Sequence, residues 1–206
     1  LTPFPERDAQ RGAVENFLDT SLLPELCVYT FGAPSIDVTL ENIAAGHSFP
    51  SGAAHDRRVW VELIAYDDTG NVIYESGVVE DGEPVRALDD PRLFALGDRI
   101  YGEDGEPVHM FWDARSVESN LLPGPTALSP TEPDYIDTHV TRNYPLSEAP
   151  DRVTMRVRFR PMGLDVIDDL IESGDLEPGI RDVIPTFTLA STELEWTESE
   201  GTSCVP

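Results

Sequence analysis

Residues 35–77, SIDVTLENIAAGHSFPSGAAHDRRVWVELIAYDDTGNVIYESG, constrain the fold more than any other part of the chain. They read as strand, polar loop, long strand, tight turn, strand. Val38, Leu40 and Ile43 end the first extended run. Val59, Trp60, Val61, Leu63, Ile64 and Tyr66 give the second a β-branched and aromatic content that suits a pleated, half-buried surface. Asp67, Asp68, Thr69, Gly70 and Asn71 are turn chemistry, with Gly70 able to take a positive φ. Between the two long strands runs Ala-Gly-His-Ser-Phe-Pro-Ser-Gly, residues 45–52. Gly46 and Gly52 let the backbone turn and Pro50 limits its freedom. Loops anchored by strands at both ends are where binding residues concentrate.

The rest of the chain repeats the strand pattern. Residues 26–31 read as a strand before the turn at Gly32, Ala33 and Pro34. Residues 108–112 and 135–144 read as further strands. Residues 152–160 alternate: Val153, Met155, Val157 and Phe159 on one face, Thr154, Arg156, Arg158 and Arg160 on the other. Residues 185–196 read as the last strand and 198–206 as a polar tail. Helical spacing occurs in 6–18, through Val14, Phe17 and Leu18, and in 164–173, through Leu164, Ile167, Leu170 and Ile171. Gly174 supplies the stop of the second helix. A short helical turn is expected within 87–100, and irregular proline-rich chain over 119–133. Many short strands with turn residues between them and only two short helices predict an all-β sandwich of immunoglobulin-like or Greek-key type, with a jelly roll as the other arrangement. The expected division is an N-terminal helical extension over 1–24 and a sandwich domain over 25–206.

Charge narrows the partners. Asp and Glu number 39 against 14 basic residues, a net charge of −25, and all 14 are Arg. Such a surface repels phosphate backbones and anionic lipid, so nucleic acid is excluded as an expected partner. No apolar run approaches the roughly 20 residues that cross a bilayer.

The 35–77 stretch also resembles the β-rich C-terminal module of secreted multihaem c-type cytochromes. That module's pattern is N-x-x-A-G-H-x-F/L-P-T/S-G, then Arg, a W/L-rich strand, D-x-x-G and a strand ending S-G. It falls here on Asn42, Ala45, Gly46, His47, Phe49, Pro50, Ser51, Gly52, Arg58, Trp60, Asp67, Gly70, Ser76 and Gly77. Leu122-Pro123-Gly124, Arg158-Phe159-Arg160 and Ile184-Pro185 extend the resemblance over about 37–194. The chain contains no C-x-x-C-H, so it cannot attach a c-type haem covalently through that motif. The resemblance therefore implies a non-haem accessory or structural module of an electron-transfer assembly, periplasmic or extracellular, packed against a c-type cytochrome subunit or domain. The alternative is a structural or adhesive immunoglobulin-like module with no redox role. That the chain starts at Leu1 without a leader fits a mature chain after signal removal, or a piece of a longer one.

His47 is the candidate site residue. It reads either as a loop imidazole bonded to backbone or as an axial ligand, in trans, to a partner's haem. No two of His47, His55, His109 and His139 have the spacing of a local metal motif. The acidic turns at Asp67–Asn71, Asp81/Glu83 and Asp104/Glu106 offer calcium-type oxygens but lack an EF-hand pattern, and read as solvated turns. No G-x-S-x-G elbow, phosphate loop or cysteine–histidine signature is present, so no enzyme is expected. Cys27 and Cys204 are expected to pair, as suits an oxidising compartment. The other reading is a buried free Cys27 and a loose Cys204.

Overall fold

The computed structural model describes residues 5–127, 129, 131–133 and 138–206. Helix α1 (Arg7–Asp19) leads into strands β1 (Leu22–Tyr29), β2 (Ser35–Asn42), β3 (Arg58–Tyr66) and β4 (Val72–Ser76). An excursion follows, with a 3-10 turn at Val85–Ala87 and the short strands β5 (Ala95–Leu96), β6 (Asp98–Tyr101), β7 (Pro107–Val108) and β8 (Ser116–Ser119). Then come β9 (His139–Pro145), β10 (Arg152–Arg160), helix α2 (Leu164–Glu172), a 3-10 stretch at Pro178–Val183, β11 (Phe187–Thr197) and β12 (Cys204–Val205).

Two antiparallel sheets make the sandwich. The first has the order β12-β1-β2-β9 and the second β11-β10-β3-β4, with β5 also on β3. A third small sheet, β7-β6-β8, is built by the excursion. The core between the two large sheets follows from period-two alternation. Ile36, Val38 and Leu40 of β2 and Leu26 and Val28 of β1 meet Val59, Val61 and Leu63 of β3 and Val153, Val157 and Leu189 across the gap. Each fully buried side chain of this kind contributes about 1.5–3 kcal/mol. The all-β sandwich implied by the strand pattern is the fold observed.

The alternating strand β10 departs from expectation on its basic face. Arg158 and Arg160 are buried, because the chain after β4 folds over the outer side of the second sheet. Trp60, Val79 and Val85 form a second apolar cluster there, joined by Leu88, Leu93 and Ala95. Under that cover Arg156 and Arg158 close on Glu62, and Arg158 also reaches Asp81 at 2.8 Å. Arg160 donates to the carbonyls of Glu83 and Asp81 and to Thr186. Of the row of arginines expected as the basic face, Arg158 and Arg160 are closed off by Glu62 of β3 and by Asp81 and Glu83 of the excursion, while Arg156 stays partly exposed.

Several local expectations are corrected. The strand expected over 108–112 is only Pro107–Val108; turns through Met110–Asp113 and Phe111–Ala114 follow it. The helical turn expected in 87–100 does not form there: a 3-10 turn ends at Ala87, and β5 and β6 occupy the second half of the stretch. The tail over 198–206 is not all irregular: Cys204 and Val205 pair with Cys27 and Leu26. The strand expected over 135–144 is seen from His139, and 135–137 lie outside the described residues. β1 opens at Leu22, so it takes in Pro24. Proline is tolerated there because β12 covers only Leu26 and Cys27, leaving the outer edge of β1 open. The expected disulfide is present: Cys27 and Cys204 are bonded across that register pair.

Candidate functional site

The loop between β2 and β3 is fixed by one polar residue at the end of an apolar row. Asn42 follows Ile36, Val38 and Leu40 on the inward face of β2 and is 0% exposed. A buried amide must be hydrogen-bonded. Its Nδ2 donates to the carbonyl of His47 at 2.8 Å, and its Oδ1 accepts from the Ala45 N–H at 3.2 Å. Phe49 and Leu122 exchange both backbone hydrogen bonds at 2.9 Å, and both side chains are buried. The Phe49–Pro50 peptide is cis. Gly46 and Gly52 hold φ of +71° and +75°, the left-handed region expected of them. Arg57 donates to the Ser51 carbonyl. Gly124 lies flat on the loop: a Cβ there would stand 2.6 Å from the His47 carbonyl carbon and 2.8 Å from its Cα.

The His47 ring itself is exposed. Its Nδ1 lies 3.1 Å from the Ser48 carbonyl. A carbonyl only accepts, so this contact puts a proton on Nδ1, and in the neutral ring the lone pair is then on Nε2. Among the described residues Nε2 has no hydrogen-bond partner. His47 is therefore presented by a rigid backbone with one ring nitrogen facing outward.

Beside it opens an apolar groove of about 460 Å³. One wall is helix α1, contributing Val14, Phe17 and Leu18. The other is the loop, with Ala45, Phe49 and Pro50, backed by Phe159 and Phe187 of the second sheet. His47 and Arg57 supply polar groups on the groove wall. Amphipathic α1 turns Leu18 into the core but leaves Phe17 60% and Val14 44% exposed. Two large apolar side chains on the open side of a helix, next to a groove, make a contiguous patch of the kind that marks an interaction surface.

The other sequence candidates take separate places. His55 Nε2 lies 3.5 Å from the carboxylate of its neighbour Asp56. His139 sits in β9, exposed. His109 is held between Asp165 and Asp169, one turn apart on α2, with Nε2 3.2 Å from Asp165. Asp165 also receives Arg58 at 3.2 and 2.5 Å. Burial works to raise the Asp165 carboxyl; the Arg58 hydrogen bonds and the charges of Arg58, Arg86 and His109 outweigh it and hold it below the usual range. The acidic turns bond to their own chain. Asp67 accepts from Thr69 and Asn71, whose hydrogen bonds lower its carboxyl to about 2. Asp104 accepts from the Glu106 N–H. One acidic group with two sulfurs, Glu25 beside Cys27 and Cys204, is closed to metal by the disulfide.

Three parts of the site were not singled out in the sequence: α1 as a groove wall, Arg57 as the clasp on Ser51, and the exposure of the His47 ring. The first had a signal in the apolar spacing of Val14 and Phe17. The others depend on tertiary placement and had none.

No known family profile matches the sequence, and no curated protein matches it. Among solved structures the fold is similar to a penta-haem cytochrome c552 from Thermochromatium tepidum, with a TM-score of 0.56 at 19% identity over 89% of this chain. The match takes up 41% of that cytochrome, so this chain spans less than half the length of its structural neighbour.

Proposed function

We propose that this chain is the non-haem β module of an extracytoplasmic electron-transfer assembly, packed through the groove between α1 and the 45–52 loop against a haem-bearing c-type cytochrome domain or subunit. The observation that carries this reading is the fold shared with the penta-haem cytochrome over nearly the whole chain. The disulfide suits an oxidising compartment, and no helix among the described residues is long and apolar enough to cross a membrane. The module has no C-x-x-C-H, so a c-type haem at this surface would be one that the partner attaches. His47 fits that arrangement as a single outside ligand, since its outward Nε2 is the nitrogen an iron would take. Haem, where bound, supplies the electron transfer. The module's own residues bury the apolar contact, orient one imidazole and exclude water. The module is read as non-enzymatic.

The test is recovery of the tagged full-length protein from its native extracytoplasmic fraction, followed by a visible spectrum. The reduced α and Soret bands of c-type haem should co-purify at defined stoichiometry. Phe17→Asp should abolish them while the circular dichroism stays unchanged. Haem-free material, or haem retained in Phe17→Asp, sinks the docking surface; haem-free material favours the interaction module without a redox role.

A further inference from the structure

The turn between β7 and β8 carries two aromatic rings into solvent. Phe111 is 70% exposed and Trp112 63%. The rings stand edge to face, 5.0 Å apart at their centroids, so they present one apolar knob rather than two scattered side chains. Neither lines the groove beside His47. The chain's other tryptophans, Trp60 and Trp196, are buried, and their N–H groups donate to the carbonyls of Gly77 and Thr202. The knob is firmly held. His109, just before it in the chain, is fixed between Asp165 and Asp169 of α2. On the other side the Arg115 N–H donates to the Tyr101 carbonyl at 2.7 Å. An aromatic pair on a backbone anchored at both ends is pre-organised for contact.

The surroundings state what such a contact must bring. Across residues 103–118 five exposed carboxylates, Glu103, Asp104, Glu106, Asp113 and Glu118, stand against one guanidinium, Arg115. Glu103, Glu106 and Asp113 form no ion pair among the described residues. Elsewhere this chain covers aromatic rings with arginine: Arg152 lies 3.8 Å over Tyr66, Arg142 5.5 Å over Phe94, and Arg158 and Arg160 over Trp60. Among the described residues no arginine lies over Phe111 or Trp112. Arg115 turns instead to the Ala114 carbonyl at 3.1 Å. The rings and the carboxylates here lack the same partner, a planar cation.

We propose that the Phe111–Trp112 knob docks an arginine-rich face of another protein. Guanidinium groups stack on the two rings and pair with the carboxylates around them, which suits arginine better than lysine. A second copy of this chain brings 39 carboxylates against 14 arginines to the same contact and is repelled. An anionic bilayer is repelled in the same way. The knob and the α1 groove are separate surfaces, so this contact does not depend on what occupies the groove.

Isothermal titration of the full chain with nona-arginine and nona-lysine peptides tests this. Trp112 emission gives a second readout, because Trp60 and Trp196 are buried. Nona-arginine should bind more tightly than nona-lysine and shift the Trp112 emission. Phe111→Ser combined with Trp112→Ser should weaken nona-arginine by about threefold to thirtyfold, the worth of one cation–ring contact. Both side chains are exposed, so the double variant keeps the fold, and unchanged far-UV circular dichroism verifies it. Equal affinity for the two peptides, or equal affinity in wild type and double variant, means attraction by charge alone and overturns the proposal. So does an unmoved emission at saturation. Emission shifted by phosphatidylcholine vesicles and not by nona-arginine assigns the knob to lipid. Sedimentation showing a wild-type dimer that the double variant lacks assigns it to a second copy. Either result overturns the proposal too.

Discussion

At His47 the backbone is pinned and the ring is left in solvent; at His109 the ring is pinned and the backbone is a short turn after β7. The first loop is held from beneath by Asn42, which is buried and bonded to the carbonyl of His47 and the N–H of Ala45. The second is held through its side chain, with both ring nitrogens against Asp165 and Asp169 on α2. That ring ties the small third sheet to the helix, and through Asp165 to Arg58 at the start of β3. The difference separates two uses of one residue type. An imidazole consumed by carboxylates at both nitrogens is part of the scaffold. An imidazole whose backbone is fixed by other residues, with one nitrogen bonded to its neighbour's carbonyl, is available to something outside.

The sharpest way to break this comparison is at the carboxylate that the scaffold histidine shares. Asp165→Ala removes two hydrogen bonds from Arg58, which is only 6% exposed and stays charged. Removing one partner of such a pair leaves an uncompensated cation, at a cost of about 3–5 kcal/mol. Chemical denaturation should show a midpoint lowered to match. A loss below 1 kcal/mol would mean that Arg58 finds its carbonyls sufficient and that the His109 cluster is not scaffold.

Next in size is the peg under the other loop. Asn42→Ala strands the His47 carbonyl and the Ala45 N–H in a dry place, costing about 1–3 kcal/mol. Hydrogen exchange should accelerate in residues 43–52 while β10 and β11 keep their protection. Unchanged exchange in that loop would show that the Phe49–Leu122 bridge alone holds it.

Acid should act on the scaffold side and on the hairpin. Asp165 has a folded value below its unfolded one, so its contribution is complete above the unfolded value of 3.8 and is lost as pH falls through the folded value. Asp67 follows the same sign, between 3.8 and about 2, and is exposed, so its share is small. Stability measured from pH 6 down to pH 2 (roughly the span of carboxyl titration) should therefore fall, and fall less steeply in Asp165→Ala. Equal slopes in the two proteins would remove Asp165 from the acid response.

How much of this was legible in sequence depends on what each feature needed. In β2 the pair Val38 and Leu40 was legible as local alternation, but the expected run ended on Ile43, which lies past the strand and is 47% exposed, while Asn42 takes the last inward place. Gly46 and Gly52 announced the turns they make, and Gly124 belongs to a motif whose use, lying against the His47 backbone, only the fold reveals. The Arg156, Arg158 and Arg160 face was visible as a basic row, but its cover comes from residues 77 or more positions away along the chain, at Asp81 and Glu83. β12 is two residues long and exists because Cys204 is bonded to Cys27 beside it. Arg57, Arg86 and Arg99 line one cavity that no local pattern announces, since the excursion that folds over the second sheet brings them together.

The smallest expected effect carries the most about function. His47→Ala removes an exposed ring whose contact is to the adjacent Ser48 carbonyl, itself next to solvent. The carbonyl of His47, which Asn42 needs, belongs to the backbone and survives the substitution. Stability of the isolated chain should therefore change by less than about 0.5 kcal/mol, as for a surface substitution away from caps and buried polar groups. If the ring is a ligand to a partner's iron, the assembled complex should lose the low-spin signature of one haem and that haem's potential should move. If the ring serves only as part of the rim, assembly and spectrum should both be retained. A loss of 1 kcal/mol or more in the isolated chain would move His47 to the scaffold class beside His109 and erase the distinction. An unchanged haem spectrum in the assembled variant would keep the distinction and remove the ligand role.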